Sequence, residues 1–227
     1  MQNPKTLRAQ VIVIGCGTMG SSACSHLARR GVSVIGIERF GKSHSHGSHG
    51  GYTRITRETY AEGPEYVRLA QESHKQFLEM QNEMQTHLIR KTDFLTLGPS
   101  SHELLQGVRT AGDLHKLPYT EYSRDAFMKM YPQFHLRENE VAIVDHTAGI
   151  VRPERCVRAF LDHAEKHGAK ILYNTKVINW SESEDGVTVT LEDGTICKGE
   201  QLIITAGAFT SKVVADLGVK LKPTRQI

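Results

Sequence analysis

Six residues near the start of this 227-residue chain, Gly15-Cys16-Gly17-Thr18-Met19-Gly20, have the types and spacing of a turn that holds a phosphate. The run Gln10 to Ile14 before them reads as a strand buried on both faces. Ser21 to Arg30 after them reads as a helix stopped by Gly31. In that setting the first glycine permits the sharp turn, the second lets the backbone approach a pyrophosphate, and the third lets helix and strand pack closely. The anion would rest at the helix N-terminus, by Thr18 and Met19, where unpaired N–H groups and the dipole favour negative charge. Glu38 ends a second strand, Val32 to Glu38, eighteen residues past Gly20, and is placed to accept hydrogen bonds from an adenosine ribose. Arg39 beside it could meet a 2′-phosphate, although a surface arginine without that role is the plainer reading.

The dinucleotide could be NAD(P) or FAD, and the continuation of the chain discriminates. A nicotinamide dehydrogenase normally adds further βα units directly after the second strand. Here the chain enters Ser43-His44-Ser45-His46-Gly47-Ser48-His49-Gly50-Gly51-Tyr52-Thr53-Arg54, a stretch with no apolar period. Small residues let backbone lie against a flat ring system, with their N–H groups on its polar edge. Far downstream, Leu202 to Thr205 reads as a buried strand running into Ala206 and Gly207, small residues suited to a close pass beside a bound dinucleotide. These features favour FAD. No metal is expected at His44, His46 and His49, since no carboxylate or thiol lies among them. By charge pattern alone, Arg54 and Arg57 read as an exposed salt-bridging pair.

The remaining elements must position these groups. A long helix is predicted from Gly63-Pro64 to about Thr86, with Val67, Ala70, His74, Phe77, Leu78 and Met84 at helical spacing. Strands are predicted at Phe94 to Leu97 and Val141 to Val144. A helix capped within Ser100 to Glu103 and a short helix over Asp125 to Met130, ended by Pro132, lie between them. Pro153 opens a helix to Lys166 with Gly168 as its cap, followed by a strand at Lys170 to Tyr173. A meander includes Trp180 and Val187 to Leu191, turning at Glu192-Asp193-Gly194-Thr195. Ser211 to Leu217 reads as a last helix.

Lys and Arg number 28 against 25 Asp and Glu, a net charge of +3, and 39% of residues are hydrophobic, so a disordered tail or a basic nucleic-acid binder is not indicated. Four cysteines without a C-x-x-C pair argue for a reduced, cytoplasmic setting, with Cys16 and Cys24 packing as small hydrophobes. The apolar stretch Val11 to Ala28 is too interrupted by glycine, serine and histidine to span a membrane.

On these residues the chain resembles the monomeric sarcosine oxidase and N-methyl-amino-acid oxidase family, FAD-dependent amine oxidases within the D-amino-acid-oxidase-like superfamily. The likeness runs through Val11 to Gly20, Gly47-Ser48-His49 with Thr53-Arg54-Ile55-Thr56-Arg57, Tyr60 to Gly63, Gly149-Ile150-Val151, Ile203 to Lys212 and Pro223 to Gln226. It implies that Arg54 lies against the flavin, that Arg57 pairs with the substrate carboxylate, that the Val177 backbone meets adenine and that Glu38 holds the ribose. Gly50 stands where many relatives carry a second histidine. The implied reaction oxidises the C–N bond of a secondary amino acid such as sarcosine, with O2 as acceptor giving H2O2. Nucleic acid and membrane are not expected partners.

The implied architecture is α/β, a Rossmann-like FAD-binding domain with an inserted, incomplete α+β substrate domain. Residues 1–86 and 149–218 would form the FAD-binding parts, 87–148 the substrate part, and 219–227 the return toward it. Relatives continue beyond the motif at Arg225-Gln226, and that continuation would supply the flavin-attaching cysteine and an oxygen-activating lysine. The expectation is therefore a chain that needs further sequence, or a second polypeptide, for oxidase activity. An NAD(P)-dependent dehydrogenase and a non-catalytic dinucleotide-binding domain stand as alternatives.

Overall fold

The computed structural model describes residues 5–224. In chain order, β1 (Thr6–Arg8) and β2 (Val11–Ile14) precede α1 (Thr18–Arg29) and β3 (Val34–Ile37). Then come β4 (Arg54–Thr56), α2 (Val67–Glu83), β5 (Ile89–Lys91), β6 (Phe94–Pro99), α3 (Glu103–His115), β7 (Tyr119–Tyr122), α4 (Arg124–Met130), β8 (Glu140–Asp145) and β9 (Gly149–Val151). The chain ends with α5 (Pro153–Lys166), β10 (Lys170–Leu172), β11 (Val177–Ser183), β12 (Gly186–Leu191), β13 (Ile196–Gly199), β14 (Gln201–Ile204) and α6 (Thr210–Val213). The expected helix over Ser211 to Leu217 is instead the four-residue α6 and a separate 3₁₀ turn, Ala215–Leu217. The adjacent β-branched Val213 and Val214 crowd χ1 against the preceding turn and favour that break.

Packing divides the chain into two compact units, one running to Tyr52 and resuming at Pro153, the other spanning Thr53–Arg152. The sequence boundaries at 86 and 148 follow from the order of predicted elements and the family resemblance. By packing, α2 belongs with the second unit, because it buries Val67 with Ala111 and Leu117.

In the first unit β10, β3, β2 and β14 form an all-parallel sheet in that order. Its two central strands are buried at every position, which is why they read as apolar, largely β-branched runs, Gly36 being the one interruption. Val11, Val13 and Val34 face Cys24 and Ala28 of α1 and Val157, Leu161 and Ala164 of α5. Ile12, Ile14, Ile35 and Ile37 face the meander through Val187, Val189, Leu191 and Cys197. Small residues on α1, including the fully buried Ser21 and Cys24, let α5 approach, and His163 of α5 meets Ser25 Oγ at 2.9 Å. Cys16 and Cys24 do pack as small hydrophobes: a Cβ at Gly36 would lie 2.9 and 3.1 Å from their sulfurs. The Cys24 hydrogen bond and burial push the Cys16 thiol up, so it stays protonated and unreactive.

The second unit holds two antiparallel three-stranded sheets, β4-β9-β5 and β6-β8-β7. Strand β8 alternates, with Ala142 and Val144 against Phe127 of α4 and Ile143 against Leu105 and Val108 of α3.

Candidate dinucleotide-binding site

The carboxyl ends of the parallel strands gather most of the residues singled out from sequence. Gly15, at the end of β2, has φ +90°, and a Cβ there would come within 2.6 Å of the Thr205 carbonyl oxygen. Thr205 follows β14; its N–H donates to Ile14 O at 2.8 Å and its hydroxyl donates to Gly15 O at 2.6 Å. Ala206 and Gly207 therefore run beside the glycine turn. Gly20 has no room either, since a Cβ would overlap the Gly15 carbonyl oxygen and sit 2.6 Å from Thr205 Oγ1. Gly17 differs, because a Cβ there would meet only the His49 ring, at 3.7–3.8 Å. Thr18 and Met19 are exposed, Gly17 caps α1 without a side-chain hydrogen bond, and no acid occupies the first turn. The turn thus presents an uncapped helix N-terminus beneath a gap at Gly17, which fits a pyrophosphate.

Glu38 follows β3 and is 5% exposed. Its Oε2 accepts from Cys16 N at 2.8 Å, and its Oε1 accepts from Phe40 N at 3.0 Å and lies 3.1 Å from His44 Nε2. Three donors thus occupy a carboxylate with about four acceptor sites. One acceptor site remains for a further donor, and rotation of the single side-chain donor, His44, would open a second. The segment after β10 is tied to the same strand end, with Thr175 N donating to Glu38 O and Asn174 N donating to Phe40 O, both at 2.9 Å. That tie brings β11, beginning at Val177, to this edge. Arg39 is exposed, its guanidinium 5.5 and 5.2 Å from the centres of the Phe40 and Phe209 rings.

The loop after Phe40 folds onto these groups. His44 Nδ1 accepts from His46 N at 3.1 Å, so neutral His44 carries its proton on Nε2, facing Glu38. Its carbonyl lies 3.0 Å from His49 Nε2, and the His49 ring stands over both Gly17 and Gly47. Ser43 Oγ donates to Glu154 O, and Gly51 N to Glu154 Oε1 at 3.3 Å, pinning the loop to the start of α5. Ser48 is exposed.

Thr53, Arg54 and Arg57 belong to the second unit. Thr53 and Arg54 are exposed, and Arg54 Nη1 donates to Thr53 O at 2.8 Å. Arg57 is half-buried between the Tyr60 and Phe94 rings, at 5.0 and 5.7 Å, and its Nη2 reaches both carboxylate oxygens of Glu62 at 2.8 and 2.9 Å. Sequence reading missed a polar chain beside it. His74 is 5% exposed and links Thr56 Oγ1, 2.7 Å away, to Glu58 Oε1, 3.0 Å away. A histidine on the apolar face of α2 was the available signal. Buried Asp145 was also missed; it accepts from Thr59 and Thr147 through both their N–H and hydroxyl groups. Removing that acceptor strands four donors, so Asp145→Ala is expected to destabilise the second unit by about 3 kcal/mol or more. Urea unfolding followed by near-UV circular dichroism would show it, and a midpoint unchanged from the parent would contradict it.

Comparison with known proteins identifies the family. The monomeric sarcosine oxidase of Bacillus sp. (strain B-0618) is 34% identical over 220 residues, covering 96% of this chain and 56% of that protein. The N-methyl-L-tryptophan oxidase of Citrobacter koseri is 26% identical over 221 residues, covering 97% and 59%. The chain thus spans somewhat over half the length of these curated relatives. Among solved structures, NikD, an unusual amino acid oxidase essential for nikkomycin biosynthesis, superposes in its open form with a TM-score of 0.83 at 20% identity, covering 95% of this chain and 55% of NikD. The L-proline dehydrogenase of P. horikoshii gives 0.80 at 22% identity, covering 97% and 58%. The family model for FAD dependent oxidoreductases matches residues 10–227, nearly the whole sequence, and the chain belongs to that family.

Proposed function

We propose that the first unit binds FAD, with the pyrophosphate over Gly17 and the adenosine ribose on Glu38, and that the whole protein oxidises the C–N bond of a secondary amino acid such as sarcosine, passing electrons to O2 to give H2O2. The observation that carries the cofactor reading is the uncapped turn at Gly17 next to a buried, backbone-anchored Glu38. The substrate class rests on the sarcosine and N-methyl-L-tryptophan oxidases among the relatives. FAD supplies the two-electron chemistry when bound. The protein's own part is to orient the amine and hold its carboxylate. Arg57 suits that task, because the carboxylate it now holds belongs to an exposed glutamate, and exchange for a substrate carboxylate gives up a pair worth about 0–1 kcal/mol. Arg54 would add positive charge for the reduced ring. Val177, Ala206, Gly207, Gly47 and Ser48 complete the proposed cofactor contacts, while Arg39, already stacked on two rings, is the weakest of the set. The functional division at 86, 148 and 218 and a cytoplasmic setting, in keeping with four buried free thiols, are part of the same reading.

An absorption spectrum of the chain with FAD, before and after anaerobic addition of sarcosine, tests the proposal. We expect the 227-residue chain to bind FAD, and bleaching by sarcosine only once the further sequence spanned by the relatives is supplied, in the same chain or as a second polypeptide. Failure to bind FAD would sink the cofactor reading. FAD binding without bleaching in the completed protein would leave a dinucleotide-binding domain without this activity.

A further inference from the structure

We propose that His49 grips the cofactor's pyrophosphate as an imidazolium, so that dinucleotide binding takes up a proton. The inference rests on the reading that the glycine turn binds a dinucleotide. His49 is 7% exposed, and its Nε2 is committed to the His44 carbonyl at 3.0 Å. That bond leaves Nδ1 as the second ring nitrogen, and among the described residues it has no hydrogen-bond partner. A Cβ placed on Gly17 would lie 3.8 Å from it, so Nδ1 overlooks the gap above the glycine turn. Without ligand, burial pushes the His49 pKa down, and the neutral ring turns a lone pair toward that gap. A lone pair repels a phosphate oxygen, whereas a protonated Nδ1 donates a charge-assisted hydrogen bond to it.

The charged neighbours come from each packed element. The His44 carbonyl, Glu154 at the start of α5 and Glu38 after β3 favour the proton, and the His44 ring, 5.8 Å away, opposes it. His46 stacks on His44 at 5.7 Å, and Arg39 is held on the Phe40 and Phe209 rings. Burial outweighs these groups in the free protein. The two negative charges of a pyrophosphate diester would reverse the balance, raising His49 on binding. The sign follows from linkage: binding takes up a proton at any pH between the lowered free value and the raised bound value, so affinity strengthens as pH falls through that window, by at most about tenfold per unit.

The test is calorimetric titration of the 227-residue chain with FAD and with ADP-ribose, whose phosphates keep a fixed charge from pH 6 to 8, in buffers of different ionisation enthalpy. Adenosine serves as the ligand without phosphates. We expect a substantial fraction of a proton taken up with FAD and with ADP-ribose but not with adenosine, and affinity falling roughly three- to tenfold from pH 6 to pH 8. His49→Gln should lose both effects, and His49→Lys, with a fixed charge, should bind without the pH dependence. The wild-type proton count stands even if a variant folds poorly. Tight binding with no proton uptake, or the same uptake in His49→Gln, would overturn the role of His49 and leave the dinucleotide site intact. No binding of either dinucleotide at any pH would overturn the site and this inference together.

Discussion

Replacing Gly20 with alanine is expected to abolish FAD binding and to destabilise the parallel-sheet unit by about 3 kcal/mol or more. The added Cβ would overlap the Gly15 carbonyl oxygen and press within 2.6 Å of Thr205 Oγ1. Neither can yield, because Gly15 O already accepts from the Thr205 hydroxyl and Thr205 N is bonded to Ile14 O. Helix α1 would have to lift off the sheet, taking its N-terminus away from the phosphate position. Gly17→Ala provides the contrast. Its φ of −71° suits alanine, and the Cβ would meet only the His49 ring at 3.7 Å. Stability should stay within about 1 kcal/mol of the parent, yet the methyl group would fill the space a pyrophosphate needs. Urea unfolding together with FAD titration separates the two. Wild-type affinity in Gly17→Ala would refute the placement of the cofactor over that residue.

These two glycines also show where the sequence was informative. A pattern with a fixed backbone purpose, such as the glycine turn between a buried strand and a helix, is legible because each residue answers to a local constraint. The α5 helix, with Pro153 first and Gly168 at φ +90° beyond its end, was legible for the same reason. Strands β1, β4, β5 and β9 have three residues each, too few for alternation to register, and their existence depends on partners far along the chain. The loop from Ser43 to Gly51 was legible as a loop suited to lie against a flat ring, but not in its internal contacts. Its content, His44 on Glu38 and His49 over Gly17, is set by packing against β3, α1 and α5, which no local period encodes. The Arg57–Glu62 pair escaped notice because the five-residue spacing crosses a turn rather than a helix face.

Glu38 is expected to show the second large effect, and it tests which part of the cofactor this site reads. Its carboxylate holds the fold through Cys16 N and Phe40 N, and in the proposed reading it would also hold the ligand through its remaining acceptor capacity. Glu38→Ala removes the acceptor for two backbone N–H groups at the turn and should destabilise the first unit by about 2–4 kcal/mol, besides weakening FAD. That result alone would not distinguish ligand contact from loss of structure. Glu38→Gln is more discriminating, because it keeps one acceptor and the side-chain shape while turning a donor amide toward the other partner. Losing a hydrogen bond to a charged acceptor is worth about 1.5–3 kcal/mol, so FAD affinity should fall roughly tenfold to a hundredfold. The decisive comparison uses FAD built on 2′-deoxyadenosine. If Glu38 holds the ribose, the deoxy ligand binds the parent protein more weakly than FAD, while Glu38→Gln scarcely distinguishes the two ligands. An equal penalty for the deoxy ligand in both proteins would show that the ribose hydroxyl is read elsewhere, and that Glu38 serves the turn alone.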